Sequence, residues 1–227
     1  MHRQWREKMK ITGEIFQVGG GDLTSFEDAA IYLIHFGEHA ALVDAGCGRG
    51  TERLLGNIRR CGTQFHQIQY LLITHCHFDH TGGVKAILDR IQCQVVAHEL
   101  DARFLEKADD EVTAAKWYGS SLAPFEVHRK LSQPVETIAL GDRTIQAIHI
   151  PGHSPGSVAF LTESENLKVL FAQDVHGPLD PSLLSDKEHY HHSLNLLLSL
   201  DADILCEGHY GVYKGKKKVR GFIKSFL

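Results

Sequence analysis

The sequence holds no run of about 18 consecutive apolar residues, so no segment of it reads as a membrane-spanning helix. Its charged start, MHRQWREKMKIT, leads into no apolar stretch of the kind a secretory signal needs. Cysteine is scarce and lacks pattern. The five residues Cys47, Cys61, Cys76, Cys93 and Cys206 are odd in number and contain no C-x-x-C pair, which argues against a disulfide framework. These absences predict a cytoplasmic protein with reduced thiols.

An excess of positive charge is also missing. Lys and Arg number 24 against 28 Asp and Glu, a formal net charge of -4, so the chain as a whole offers no attraction to phosphate backbones or anionic membranes. The one basic run, Lys214 to Arg220, reads as the solvated face of a terminal helix. No repeat, low-complexity segment or Pro/Gly/Ser-rich linker divides the chain, so residues 1–227 read as a single domain with 1–8 as an N-terminal appendage.

Periodicity predicts α/β architecture. Strand patterns fall at Met9–Val18, Ala29–Phe36, Ala40–Asp44, Tyr70–Ile73 and Cys93–Ala97, with helical spacing at Thr51–Arg60, from about Gly83, at Glu99–Leu105 and at Asp110–Tyr118. Strands then dominate at Val135–Leu140, Thr144–Ile150, Val158–Thr162 and Val169–Ala172. Helix returns at Asp186–Leu200, followed by a short strand at Asp203–Cys206 and an amphipathic helix over Lys216–Leu227.

Histidine is what the chain has in abundance, 16 residues of 227. Three imidazoles and a carboxylate crowd into Thr74-His75-Cys76-His77-Phe78-Asp79-His80-Thr81-Gly82-Gly83, between an apolar strand and a helix. His75 and His77, two apart in extended backbone, can close on one ion, while Asp79 and His80, displaced by the turn, can reach a second. Donors of this kind suit open, water-bearing catalytic metal sites, whereas structural zinc sites favour closed Cys/His sets. Cys76 points away from its neighbours and reads as a buried thiol.

This segment resembles the H-x-H-x-D-H signature of the metallo-β-lactamase-fold superfamily. The resemblance runs from about Ile11 to Phe226 and extends to four further motifs. His153 in Pro151-Gly152-His153-Ser154-Pro155-Gly156, Asp174 in Phe171-Ala172-Gln173-Asp174 and His209 in Glu207-Gly208-His209-Tyr210 stand where the family places its later ligands. Asp44 in Val43-Asp44-Ala45-Gly46 stands where the family has an orienting carboxylate outside the ligand set. The resemblance implies a four-layer αββα sandwich with metals at the edge of the two sheets. It assigns His75, His77 and His153 to one ion, Asp79, His80 and His209 to the other, and Asp174 to a bridge between them.

The expected cofactor is therefore a pair of divalent ions, zinc first, with iron and manganese as alternatives. The expected function is hydrolysis of an ester, thioester or lactone of a small-molecule substrate by a metal-bridging hydroxide, with Asp79 and Asp174 as the catalytic carboxylates. Two alternatives stand beside it: a mononuclear iron-dependent persulfide dioxygenase using His75, His153 and Asp174, and a nuclease or phosphodiesterase. No nucleic-acid or membrane partner is expected, and self-association to a homodimer is left open. Glu in place of His77 would mark the flavin-linked diiron branch, and with a short stretch after His209 no C-terminal substrate-binding domain is expected.

Substrate choice is assigned to less distinctive residues. The segment 108–131, with Trp117, Tyr118, Phe125 and Val127, is a candidate cover for the cleft. Tyr190, Tyr210 and Tyr213 are candidates for polarising a carbonyl. His176, two residues past Asp174, and His189, His191 and His192 read as cleft rim or solvated helix start, and His35, His39, His66, His98, His128 and His149 as structural or surface residues.

Overall fold

Alternation along the strands determines the layers. In the computed structural model, which describes residues 9–227, β2 (Ile31–Phe36) sends Ile31 and Leu33 into one apolar cluster and Tyr32 and Ile34 into another. Strand β10 (Leu167–Phe171) likewise shares Val169 and Phe171 with the second cluster and gives Leu170 to a third. Sheets buried on both faces need helices outside, and three stacked cores separate four layers.

The first sheet has the order β1-β2-β3-β4-β5-β6 and the second β12-β11-β10-β9-β8-β7. The remaining strands of the first are β1 (Ile15–Gly19), β3 (His39–Val43), β4 (Ile68–Leu72), β5 (Gln94–His98) and β6 (Arg129–Leu131). Those of the second are β7 (Val135–Leu140), β8 (Arg143–His149), β9 (Val158–Ser164), β11 (Ile204–Cys206) and β12 (Val212–Lys214). Helices α1 (Thr51–Arg60), α3 (Val84–Leu88) and α4 (Glu99–Lys107) contribute apolar residues to the core outside the first sheet. Helices α5 (Lys187–Ser199) and α6 (Lys216–Lys224) do so outside the second, and α2 is the single turn Phe78–Thr81. The observed architecture is the expected αββα sandwich.

Two parallel pairings position the site. Strand β3 runs parallel to β4 and β10 parallel to β11, so the carboxyl ends of each pair emerge side by side. Asp44 follows β3, the His75–His80 segment follows β4, Asp174 follows β10 and His209 follows β11. The inner core between the sheets, with Tyr32 tilted against Phe171 at a centroid distance of 5.5 Å, holds these ends together. Burying each large apolar side chain there contributes about 1.5–3 kcal/mol.

Several expected elements differ from those observed. The strand expected over Met9–Val18 is confined to Ile15–Gly19, with Lys10 bridged to Phe16. The helix expected over Asp110–Tyr118 is a series of turns ending in a 3₁₀ turn, Ala115–Tyr118. Thr113 gives its carbonyl to Phe78 N–H at 2.7 Å, and Ala114 adopts a left-handed φ of 59° that interrupts helical hydrogen bonding. The three-residue strands β6 and β12 carry no alternation long enough to announce them. The appendage expected over residues 1–8 lies outside the described residues. Among the described residues, no helix is long and apolar enough to cross a membrane.

Candidate metal centre

Asp44 fastens the histidine-rich loop to both sheets. Its Oδ1 accepts the Thr74 N–H at 2.8 Å, while Oδ2 accepts Thr74 Oγ1–H at 2.6 Å, His80 Nδ1–H at 2.7 Å and Gln173 Nε2–H at 2.8 Å. The side chain is fully buried, and burial pushes its carboxyl up while His80 and Thr74 pull it back. With Nδ1 committed to Asp44, His80 turns Nε2 toward the cluster, as an imidazole ligand held from behind should.

Asp101, on α4, fastens the other half. It accepts Cys76 N–H at 2.8 Å and Ser154 Oγ–H at 2.6 Å on Oδ2, and Gly156 N–H at 2.7 Å on Oδ1. The loop carrying His75 and His77 is thereby tied to the loop carrying His153. His153 Nδ1 faces the Pro178 carbonyl at 2.8 Å, which leaves Nε2 for the cluster. Cys76 is buried, as expected, and outside the clusters of candidate donors.

The seven expected residues converge in two groups. Donor atoms of His75, His77, His153 and Asp174 lie within 4.8 Å of one another, and so do those of Asp79, His80 and His209. Asp174 divides its carboxylate between them. Oδ2 lies 3.2 Å from His153 Nε2 and 3.6 Å from His75 Nε2, while Oδ1 lies 3.3 Å from His80 Nε2 and 3.4 Å from His209 Nε2. Asp79 Oδ2 sits 3.1 Å from His209 Nε2. Both Asp44 and Asp174 take left-handed backbone, φ 63° and 55°, a conformation Asp tolerates and one that turns each carboxylate off the end of its strand.

A cation fits this donor set. His77 Nε2, His80 Nε2 and Asp174 Oδ1 are buried and make no hydrogen bond, and an unsatisfied buried polar atom costs about 1–3 kcal/mol. Burial, and next the neighbouring His153, holds the His77 imidazole down to about 3. Burial, with His80 and His77, likewise holds His75 well below the usual imidazole range. His80 goes the other way: burial would lower it, but Asp174, Asp79 and Asp44 outweigh burial. Burial would raise Asp174, but His80 and His153 hold it well below the carboxylate range. Gly208 is required here, because a Cβ would stand 2.5 Å from Asp174 Oδ1.

A family model of the metallo-β-lactamase superfamily matches residues 25–209. The chain belongs to the metallo-β-lactamase superfamily. It is 29% identical to a probable metallo-hydrolase of Methanocaldococcus jannaschii over 86% of this chain and 93% of that protein. It is 30% identical to a Bos taurus acyl-coenzyme A thioesterase over 76% of this chain and 67% of that one. Among solved structures it resembles a class B3 di-zinc metallo-β-lactamase from an Alaskan soil metagenome, with a TM-score of 0.74, 26% identity and coverage of 88% and 77%. As a member of this superfamily the protein is a metal-dependent hydrolase.

The structure sorts the secondary candidates. Phe125 and Val127 belong to the core, whereas Trp117 is 56% exposed and the Tyr118 ring tilts against Phe78 with centroids 5.6 Å apart. Burial and the Asp79 charge push the Tyr118 phenol up. Tyr190 is buried and donates its hydroxyl to the Val175 carbonyl, and Tyr213 stacks on Phe222 at 4.2 Å, so both are packing residues. Tyr210 stays exposed beside His209. His98 and His149 form a stacked pair, centroids 3.9 Å apart. A cavity of 320 Å³ opens beside His209, walled in part by Phe26, Asp22 and Gln17. The bonds of Asp101 and Glu207 leave no mark in the sequence, because their partners lie far along the chain or are main-chain groups.

Proposed function

We propose that the protein binds two divalent metal ions, zinc first, and uses them to hydrolyse a thioester, ester or lactone of a small molecule. His75, His77 and His153 would hold one ion, Asp79, His80 and His209 the other, with Asp174 shared between the two. The observation that carries this reading is the division of Asp174, whose Oδ2 faces His75 and His153 while Oδ1 faces His80 and His209. Bound ions would supply a water nucleophile at neutral pH and a Lewis acid for the carbonyl.

The chain's own residues do the rest. Asp44 and Asp101 hold the donor loops in place so that little reorganisation accompanies reaction. Asp79, paired with His209, would steer the proton released from water. Among ester-like bonds a thioester is favoured by the likeness to the bovine acyl-coenzyme A thioesterase.

The test is reconstitution of metal-free protein with zinc, followed by assay of released thiol from a panel of acyl thioesters, with lactones and esters in parallel. Zinc-dependent thiol release supports the reading. Failure on all three bond types, with oxygen uptake from a persulfide by the iron-loaded protein, would replace it with the dioxygenase that needs only His75, His153 and Asp174.

A further inference from the structure

Two side chains outside the seven meet Asp174 as a third group. His176 and Glu207 place donor atoms within 4.8 Å of each other and of Asp174. Glu207 is fully buried and has its oxygens committed. Oε1 accepts His176 Nδ1–H at 2.7 Å, and Oε2 accepts the N–H groups of His209 and Tyr210 at 2.7 and 2.8 Å. Three donors on one buried carboxylate leave it poorly disposed to bind a metal and well disposed to shape the chain around it.

What it shapes is the segment of His209. The Glu207 main chain is itself anchored, its carbonyl accepting the Tyr32 hydroxyl at 2.6 Å and its N–H donating to Gly211 O at 3.2 Å. The carboxylate then folds the next turn back on itself through the N–H groups of 209 and 210. On the far side it holds His176, whose ring stands edge-on to His209 with centroids 5.3 Å apart and planes at 78°.

His209 needs such support more than the others. His80 is held through Nδ1 by Asp44 and His153 by the Pro178 carbonyl, but among the described residues the His209 ring has no partner of that kind. Its side chain is also the most open of the candidate ligands in ion-pair contact, 33% exposed against 7% or less for His75, His80, His153, Asp79 and Asp174. Where His80 and His153 are oriented through their own nitrogens, His209 is oriented through its backbone, by the carboxylate that also holds His176.

We propose that Glu207 and His176 are positioning residues for the second metal ion, acting through His209. The inference rests on the two-ion reading above. It makes the Glu207–His176 pair the counterpart, for the exposed ligand, of what Asp44 does for the buried one. Loss of such a partner lowers metal affinity by about 10- to 100-fold.

The experiment is cobalt titration of the metal-free protein, followed by calorimetry and by the cobalt absorption spectrum, with apo-protein unfolding recorded for each variant. The wild type should take up two ions. Glu207→Gln and His176→Phe should keep the first and bind the second about 10- to 100-fold more weakly. His176→Asn, whose amide N–H replaces Nδ1–H toward Glu207, should recover most of that affinity. Because Glu207 is buried and its variant could misfold, the less buried His176 pair carries the test alone if needed. Wild-type affinity for the second ion in His176→Phe would overturn the inference and leave the two-ion reading standing. A wild type that takes up one ion would remove both, and that result is visible before any variant is made.

Discussion

His80 Nδ1 donates to Asp44 Oδ2 across 2.7 Å, and neither side chain is reached by solvent. That one bond fixes which imidazole nitrogen faces the metal centre, and it sits on an Asp that also holds Thr74 and Gln173. Asp44→Asn keeps the size but replaces one acceptor oxygen with an NH₂ donor that cannot serve all three. The expected result is a drop of about 10- to 100-fold in metal affinity, measured by competition with a chromogenic chelator. Affinity equal to wild type would remove Asp44 from its orienting role.

Asp101 has the corresponding part for the first group. Asp101→Ala leaves the Cys76 and Gly156 N–H groups and the Ser154 hydroxyl without their acceptor in a buried site. The chain should lose on the order of 3 kcal/mol of stability in urea unfolding of the metal-free protein. A loss under about 1 kcal/mol would show that the two loops are held by something else.

Tyr118→Phe retains the ring against Phe78, 5.6 Å between centroids, and removes only the hydroxyl, whose proton burial and the Asp79 charge hold in place. We expect up to about tenfold loss of activity or second-ion affinity. The neighbouring Trp117, largely exposed, should tolerate Ala within about 0.5 kcal/mol of stability. Equal effects of the two substitutions on activity would mean the loop acts as a whole and not through the phenol.

The stacked pair His98–His149 makes a pH prediction. Burial, and next the charge His149 would carry, holds His98 down to about 4 from its ordinary 6.5, with Glu136 opposing. The unfolded chain takes up this proton where the folded one does not. Its contribution is therefore complete above pH 6.5 and is lost as pH falls toward 4, by at most about 1.4 kcal/mol per unit. His98→Asn keeps an acceptor for the Leu100 N–H, now supplied by His98 Nδ1, and removes the titration. Thermal unfolding at pH 7 and pH 5 should show a smaller acid loss in the variant, and identical losses would exclude His98 as a source.

Legibility in the sequence followed distance along the chain. His75, His77, Asp79 and His80 lie within six residues after an apolar strand, so composition and spacing alone marked them. Asp44, His153, Asp174 and His209 are ordinary loop residues taken singly, and only the family pattern joined them before the structure placed them together. Tyr118 stands out in the sequence for bulk alone, because the influence of Asp79 on its phenol depends on how the 113–118 turns fold back over Phe78. The same holds for Glu207, whose three donors include two main-chain groups with no signature in residue type. The helix expected at 110–118 failed because a tertiary bond from Phe78 to Thr113 and a left-handed Ala114 outweighed local periodicity.

The proposed chemistry depends above all on Asp174 being shared by two ions. The most direct measurement is metal content per chain by elemental analysis, in the wild type and in Asp174→Ala and His209→Ala, after loading with zinc and removal of excess. Two ions in the wild type and no more than one in either variant is the result expected. One ion in the wild type, undiminished when His209 is replaced, would contradict it.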